Sequence, residues 1–104
     1  MSDREFEAAA DAALEALERA LGETDLDFEL KSGGVLEIEF DDGSRIIVNR
    51  HGAAREIWVA ARSGGFHFRR DAGGWRDTRS GQELFAALSE LVSDQSGRRI
   101  LLRG

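Results

Sequence analysis

Two stretches of helical period bracket a long run of alternation. Phe6, Ala10, Ala13, Leu17 and Leu21 recur at three- and four-residue intervals, the spacing that gathers one side of an α-helix. Ser2 and Glu5 stand ahead of that stripe as the two halves of a capping box, the alanines between add helix propensity, and Gly22 is a natural stop. The spacing predicts a helix over residues 3–21. From Asp25 the period becomes two, that of a strand with one buried face. Leu26, Phe28 and Leu30 oppose Asp25, Asp27, Glu29 and Lys31; Leu36, Ile38 and Phe40 oppose Glu37 and Glu39; Ile46 and Val48 oppose Ile47 and Asn49. Ser32-Gly33-Gly34 and Asp41-Asp42-Gly43 separate these strands, the second being a strong hairpin signal.

The next strand, Arg55–Ala61, puts Ile57, Val59 and Ala61 on one face and Glu56, Trp58 and Ala60 on the other. His51-Gly52-Ala53-Ala54 turns into it and Arg62-Ser63-Gly64-Gly65 turns out. Phe66 and Phe68 then face inward with His67 outward, and Trp75–Thr78 gives a last short strand. Ser80-Gly81-Gln82-Glu83 reads as a second capping box, ahead of Leu84, Phe85, Leu88, Leu91 and Val92, with Gly97 as the end of that helix. The tail Arg98–Gly104 carries Ile100-Leu101-Leu102, apolar enough to pack along the helices. Strands joined in order by short turns make an antiparallel meander. The expected fold is α+β: a two-layer sandwich of helix, six-stranded antiparallel sheet and helix. Both helices cover the face bearing Phe28, Ile38, Val48, Ile57 and Phe66. Its 104 residues suit a single domain, 1–104.

The uncovered face of such a sheet is polar, so Trp58 is the residue to explain. Asn49, His51 and His67 project from adjoining strands on the same side. An exposed aromatic ringed by polar groups is a favoured interface anchor.

Charge is segregated along the chain. Residues 1–42 hold fourteen acids against three bases, and residues 43–104 six against eleven, within a net charge of −6. At about 100° per residue, Asp3, Glu7, Asp11, Glu15 and Glu18 fall within an arc of roughly 120° on the first helix. Successive like charges four residues apart destabilise a helix slightly, so the row hints at use. Glu23, Asp25, Asp27 and Glu29 extend it if the first strand lies beside that helix. Oxygen-only ligands suit hard cations such as Fe³⁺, Ca²⁺, Mg²⁺ and Mn²⁺. With no Gly-punctuated loop to wrap a cage, such binding is expected to be weak and exposed.

Other chemistry is poorly supplied. The chain has no cysteine, which removes disulfides, thiolate metal sites and a cysteine nucleophile. Ser44, Ser63 and Ser80 sit at turns or caps, outside any G-x-S-x-G elbow. His51 and His67, the two histidines, have no zinc-ligand spacing. The Gly64-Gly65 and Gly73-Gly74 pairs lie between strands, not ahead of a helix as a phosphate loop requires. The acidic balance disfavours nucleic acid, no apolar run approaches a membrane span, and the acidic N-terminus is no secretory signal. The cytoplasm is the expected location, and the protein is not expected to be an enzyme or to carry an organic cofactor.

The pattern N-R-x6-I-W-V-A-x3-G-G-F-H-F-x6-W-x-D-x-R-S-G, from Asn49 to Gly81, resembles the frataxin family in its bacterial CyaY branch. So does the acidic first helix followed by an acidic first strand, and the likeness spans the whole chain. The resemblance implies the same α–β–α sandwich and a role in iron–sulfur cluster assembly. It implies weak surface binding of iron, Fe²⁺ or Fe³⁺, by a ridge matching Glu7, Asp11, Glu15, Glu18, Glu23, Asp25, Asp27 and Glu29. It further implies docking on the cysteine desulfurase and scaffold protein through Asn49, Trp58 and His67, as a monomer when metal-free; His51, on the same face, joins the partner set. His51 stands where many members carry glutamine, and Arg19 and Gly22 interrupt the acids near the end of the helix. An iron-independent interaction module is the alternative reading.

Overall fold

The computed structural model describes residues 2–104. Helix α1 (Asp3–Gly22) leads into strands β1 (Asp27–Lys31), β2 (Val35–Glu39), β3 (Arg45–His51), β4 (Glu56–Ala61), β5 (Gly64–Asp71) and β6 (Gly74–Asp77), and α2 (Leu84–Ser96) follows. The strands form one sheet in sequence order, each antiparallel to the next. The first capping box is present: the Ser2 hydroxyl accepts from Glu5 N at 3.1 Å, and the Glu5 carboxylate accepts from Ser2 N at 3.4 Å.

Register fixes which residues share a face. Phe28 pairs with Ile38, Leu36 with Val48, Val48 with Val59, and Ile57 with Phe68, so one apolar surface runs across the strands. Phe6, Ala10, Leu14, Leu17 and Leu21 of α1 meet it, as do Leu84, Leu88 and Val92 of α2. Each fully buried aliphatic or aromatic side chain contributes about 1.5–3 kcal/mol. This packing is the main stabilising term in a chain without cross-links.

Several local expectations change: β1 starts at Asp27 and not Asp25, β4 starts at Glu56 with Arg55 at φ +54°, and Gly64-Gly65 open β5. The second helix is capped by Glu83, not by Ser80: the Glu83 carboxylate accepts from Phe85 N at 2.8 Å and Ala86 N at 3.1 Å. The reason is that Gln82 is still bonded back to the sheet, its carbonyl accepting from Asp77 N at 2.9 Å, so α2 cannot start earlier. His51 closes β3, where the sequence placed it in a turn. Glu56, expected at the surface, is 5% exposed, for reasons that belong to the site.

The tail does pack along α2. The Ser89 hydroxyl accepts from Leu102 N at 2.8 Å, and the Ser93 hydroxyl accepts from Ile100 N at 2.9 Å. Leu102 is buried and Leu101 faces out. Buried Gln95 joins α2 to two turns of the sheet, accepting from Arg62 N at 2.9 Å and donating to the Ser44 hydroxyl at 3.1 Å.

Candidate functional site: an acidic ridge and a three-ring stack

Helix α1 packs against β1 and β3, so the acid-bearing helix and the acid-bearing strand are neighbours. Glu7, Asp11, Glu15, Glu23, Asp25, Asp27 and Glu29 are exposed and Glu18 is half-buried. They divide by pairing. Asp11 holds Arg50 at 2.5 Å, and Asp25 takes both arms of the Arg98 guanidinium. That bond from Arg98 holds the Asp25 carboxyl below the usual carboxylate range. Glu7, Glu15, Glu18, Glu23, Asp27 and Glu29 enter no ion pair among the described residues. They are solvated negative charges distributed over α1, the α1–β1 link and β1.

The row is bounded across the sheet. On the outer face of β2, Glu37 bonds Lys31 at 3.0 Å and Arg45 at 3.2 Å, while Glu39 takes the other arm of Arg45 at 3.2 Å. These acids are neutralised where they stand. Among the described residues, no group of three or more His, Asp or Glu side chains is gathered as a cation site. Separate carboxylates can each lend oxygens to a hard cation, leaving water to complete its shell. Such donors fit a loosely held, hydrated ion and do not fit an enclosed centre.

The second feature lies on the uncovered face of β3, β4 and β5. Asn49, Trp58 and His67 are directly opposite one another across these strands. His51 reaches the indole diagonally and stacks on one side of it, with ring centroids 3.7 Å apart and planes at 13°. His67 stacks on the other side at 4.4 Å and 9°. Trp58 is half-buried, as are Asn49 and His51, and His67 is exposed. The four residues expected to form a partner surface are thus brought together.

Beneath the stack lies Glu56, the one buried acid among the described residues. Its Oε1 accepts from the Trp58 indole Nε1–H at 2.8 Å, and its Oε2 accepts from Arg69 Nε at 2.7 Å. His67 Nδ1 lies 3.5 Å from the same Oε1. Burial by itself pushes this carboxyl up. The bonds from the indole and the guanidinium, with the Arg69 charge, outweigh that and hold it below the usual range. Sequence reasoning missed Glu56 as a member of this group. The signal was there in Glu56-Ile57-Trp58, since residues two apart on a strand share a face and an indole N–H beside a carboxylate bonds it.

Comparison with known proteins agrees with this architecture. A family model described as "Frataxin-like domain" matches residues 1–98. The chain is 60% identical to the iron-sulfur cluster assembly protein CyaY of Dechloromonas aromatica, over 99% of this chain and all of the relative. It is 56% identical to the protein of the same name from Paraburkholderia xenovorans, over 96% of both. In three dimensions it is similar to the frataxin of Psychromonas ingrahamii, with a TM-score of 0.91 at 30% identity and full coverage of both chains. A trimeric frataxin from Saccharomyces cerevisiae, complexed with ferrous iron, superposes with a TM-score of 0.68 at 26% identity, over 90% of this chain and 87% of that one. On sequence, length and fold together, the chain belongs to the frataxin family, in its CyaY branch.

Proposed function

We propose that the protein serves iron–sulfur cluster assembly in the cytoplasm as a regulator, not a catalyst. It docks on the cysteine desulfurase and scaffold protein through the face carrying Asn49, His51, Trp58 and His67. It carries iron, as Fe²⁺ or Fe³⁺, weakly on the α1–β1 ridge. Membership of the family and the name borne by its relatives support the assembly role. The observation that carries the docking is the half-buried Trp58 indole, stacked between two imidazoles and bonded to Glu56 on the sheet face opposite the helices. Aromatic side chains in that situation are the usual anchors of protein interfaces.

Iron enters as cargo. The six carboxylates without an ion pair among the described residues supply oxygen donors of the right hardness, and the ferrous complex of the yeast relative supports the choice of metal. The same row attracts a basic partner over a distance set by salt. The alternative, an interaction module indifferent to iron, draws support from the lack of a gathered ligand set among the described residues. It also draws support from the commitment of Asp11 and Asp25 to arginines.

Binding to purified desulfurase, measured across a salt series, tests the proposal. Trp58→Ala should weaken binding with the fold intact. Neutralising Glu15, Glu18, Asp25 and Asp27 together should weaken iron uptake. Unchanged desulfurase affinity in Trp58→Ala refutes the docking, and unchanged iron uptake in the neutralised variant refutes the ridge.

A further inference from the structure

The indole of Trp58 is held on three sides. An imidazole covers each face, and the ring N–H is bonded to Glu56 at 2.8 Å. An ordinary surface tryptophan turns about two side-chain torsions, and freezing such a group on association costs entropy. Here three contacts already brace the ring before any partner arrives. Glu56 is the residue on which that order converges, since one carboxylate binds the indole and Arg69 and lies against His67. Glu56 lies outside the apolar core. Ile57 and Val59 supply the core packing of β4, and a buried ionised group is often no more stabilising than an apolar side chain of like volume.

We propose that Glu56 is the positioning residue of the docking surface: it holds His51, Trp58 and His67 as one three-ring slab that meets the partner by ring edges. The inference rests on the docking reading above and deepens it. With both faces covered and the N–H engaged, the indole offers neither a plane for a cation or a second ring nor a donor. Its apolar rim remains, flanked by imidazole nitrogens. His51 Nδ1 accepts from Ala54 N at 3.2 Å, so the proton of the neutral ring sits on Nε2. The surface that fits is an apolar slot with a hydrogen-bond acceptor at its lip, on the desulfurase–scaffold complex.

The experiment measures affinity for that complex at one ionic strength for the wild type, Trp58→Ala, Glu56→Ala, Glu56→Gln and His51→Ala, and records the indole ¹H–¹⁵N signal of each. Glu56→Ala should weaken binding about tenfold and shift the Trp58 indole signal. Glu56→Gln, which keeps the side chain's shape and an oxygen acceptor for the indole, should recover most of the affinity and leave the signal in place. His51→Ala, which bares one ring face, should bind more weakly; tighter binding means that the partner takes the face and overturns the edge-on geometry. Wild-type affinity in Glu56→Ala, with Trp58→Ala impaired, overturns the role of Glu56 and leaves docking standing. A Glu56→Gln variant as weak as Glu56→Ala, with its indole signal unmoved, assigns the effect to charge and also overturns the proposal. Wild-type affinity in Trp58→Ala removes the docking reading itself.

Discussion

Gly33 and Gly34 turn the chain between β1 and β2 with φ of +87° and +75°, yet alanine is expected to harm them unequally. A left-handed residue with a Cβ costs about 1–2 kcal/mol. The lower entropy of the unfolded alanine chain returns about 0.4–1 kcal/mol. At Gly33 nothing lies within 4 Å of the added Cβ, so a loss of about 1 kcal/mol is all that these two effects produce. At Gly34 the same atom would lie 2.9 Å from Arg50 Nε and 3.0 Å from Arg50 Cβ. The guanidinium end can swing away. The Cβ cannot, because Arg50 N is bonded to the Gly34 carbonyl at 2.9 Å.

Arg50 must therefore leave the path that carries it to Asp11. The pair it gives up is partly screened, with side chains 22% and 51% exposed, and such pairs contribute about 0.2–1 kcal/mol. An off-rotamer side chain adds about 0.5–1.5 kcal/mol. Gly34→Ala should thus cost about 1 kcal/mol more than Gly33→Ala, a further drop of about 4–8 °C in Tm for a domain of this size. Urea unfolding of both variants reads the gap, and repeating it in an Asp11→Asn background should shrink the gap by the share of the ion pair. Equal costs, within about 0.3 kcal/mol, refute the reasoning.

Three more outcomes follow from named contacts. Glu56 titrates lower folded than unfolded, so its stabilisation is complete above the ordinary glutamate value of about 4.3 and drains as pH falls through the lower folded one. Acid titration of unfolding free energy should accordingly be flatter below that value in Glu56→Gln. Ser89→Ala removes the buried hydroxyl that accepts from Leu102 N and donates to Phe85 O at 2.8 Å each. It should cost about 1–2 kcal/mol, with hydrogen exchange accelerated at Leu102 and unchanged at Val48. Arg50→Gln frees Asp11. Ferrous affinity measured calorimetrically should rise about two- to fivefold at low salt and return to the wild-type value at high salt.

The elements were legible because alternation and helical period each leave an apolar face that only one layer order buries. The strand partners followed from turns too short for any pairing but neighbours, and Phe28 against Ile38 and Ile57 against Phe68 are the result. The boundary at Glu83 was hidden, since whether a turn residue caps a helix depends on where the preceding strand lets go. At the site, the acids and rings could be placed on their faces from the pattern alone. Their pairing could not. Arg50 and Asp11 stand 39 residues apart, and Arg98 and Asp25 stand 73 apart. Such pairs follow from the packing of helix on sheet, which no local period records. Glu56 was misplaced because a strand pattern assigns a side and does not say what covers it.

The two surfaces are built from different charges, and that makes their contributions separable. The ridge runs along α1 and β1, where six acids lack a counterion among the described residues. The slab sits on β3, β4 and β5 with its own acid, Glu56, bonded internally. Between them, Glu37 and Glu39 are neutralised by Lys31 and Arg45. At physiological salt, screening over about 8 Å separates them further. Long-range charge governs encounter, and close packing governs dissociation. Neutralising Glu15, Glu18, Asp25 and Asp27 should therefore slow association with the desulfurase and flatten its dependence on salt, with dissociation little changed. Trp58→Ala should speed dissociation and leave the salt slope of association as it was. Stopped-flow kinetics across a salt series reads both slopes, and a Trp58→Ala variant whose association loses its salt dependence sinks the division into two surfaces.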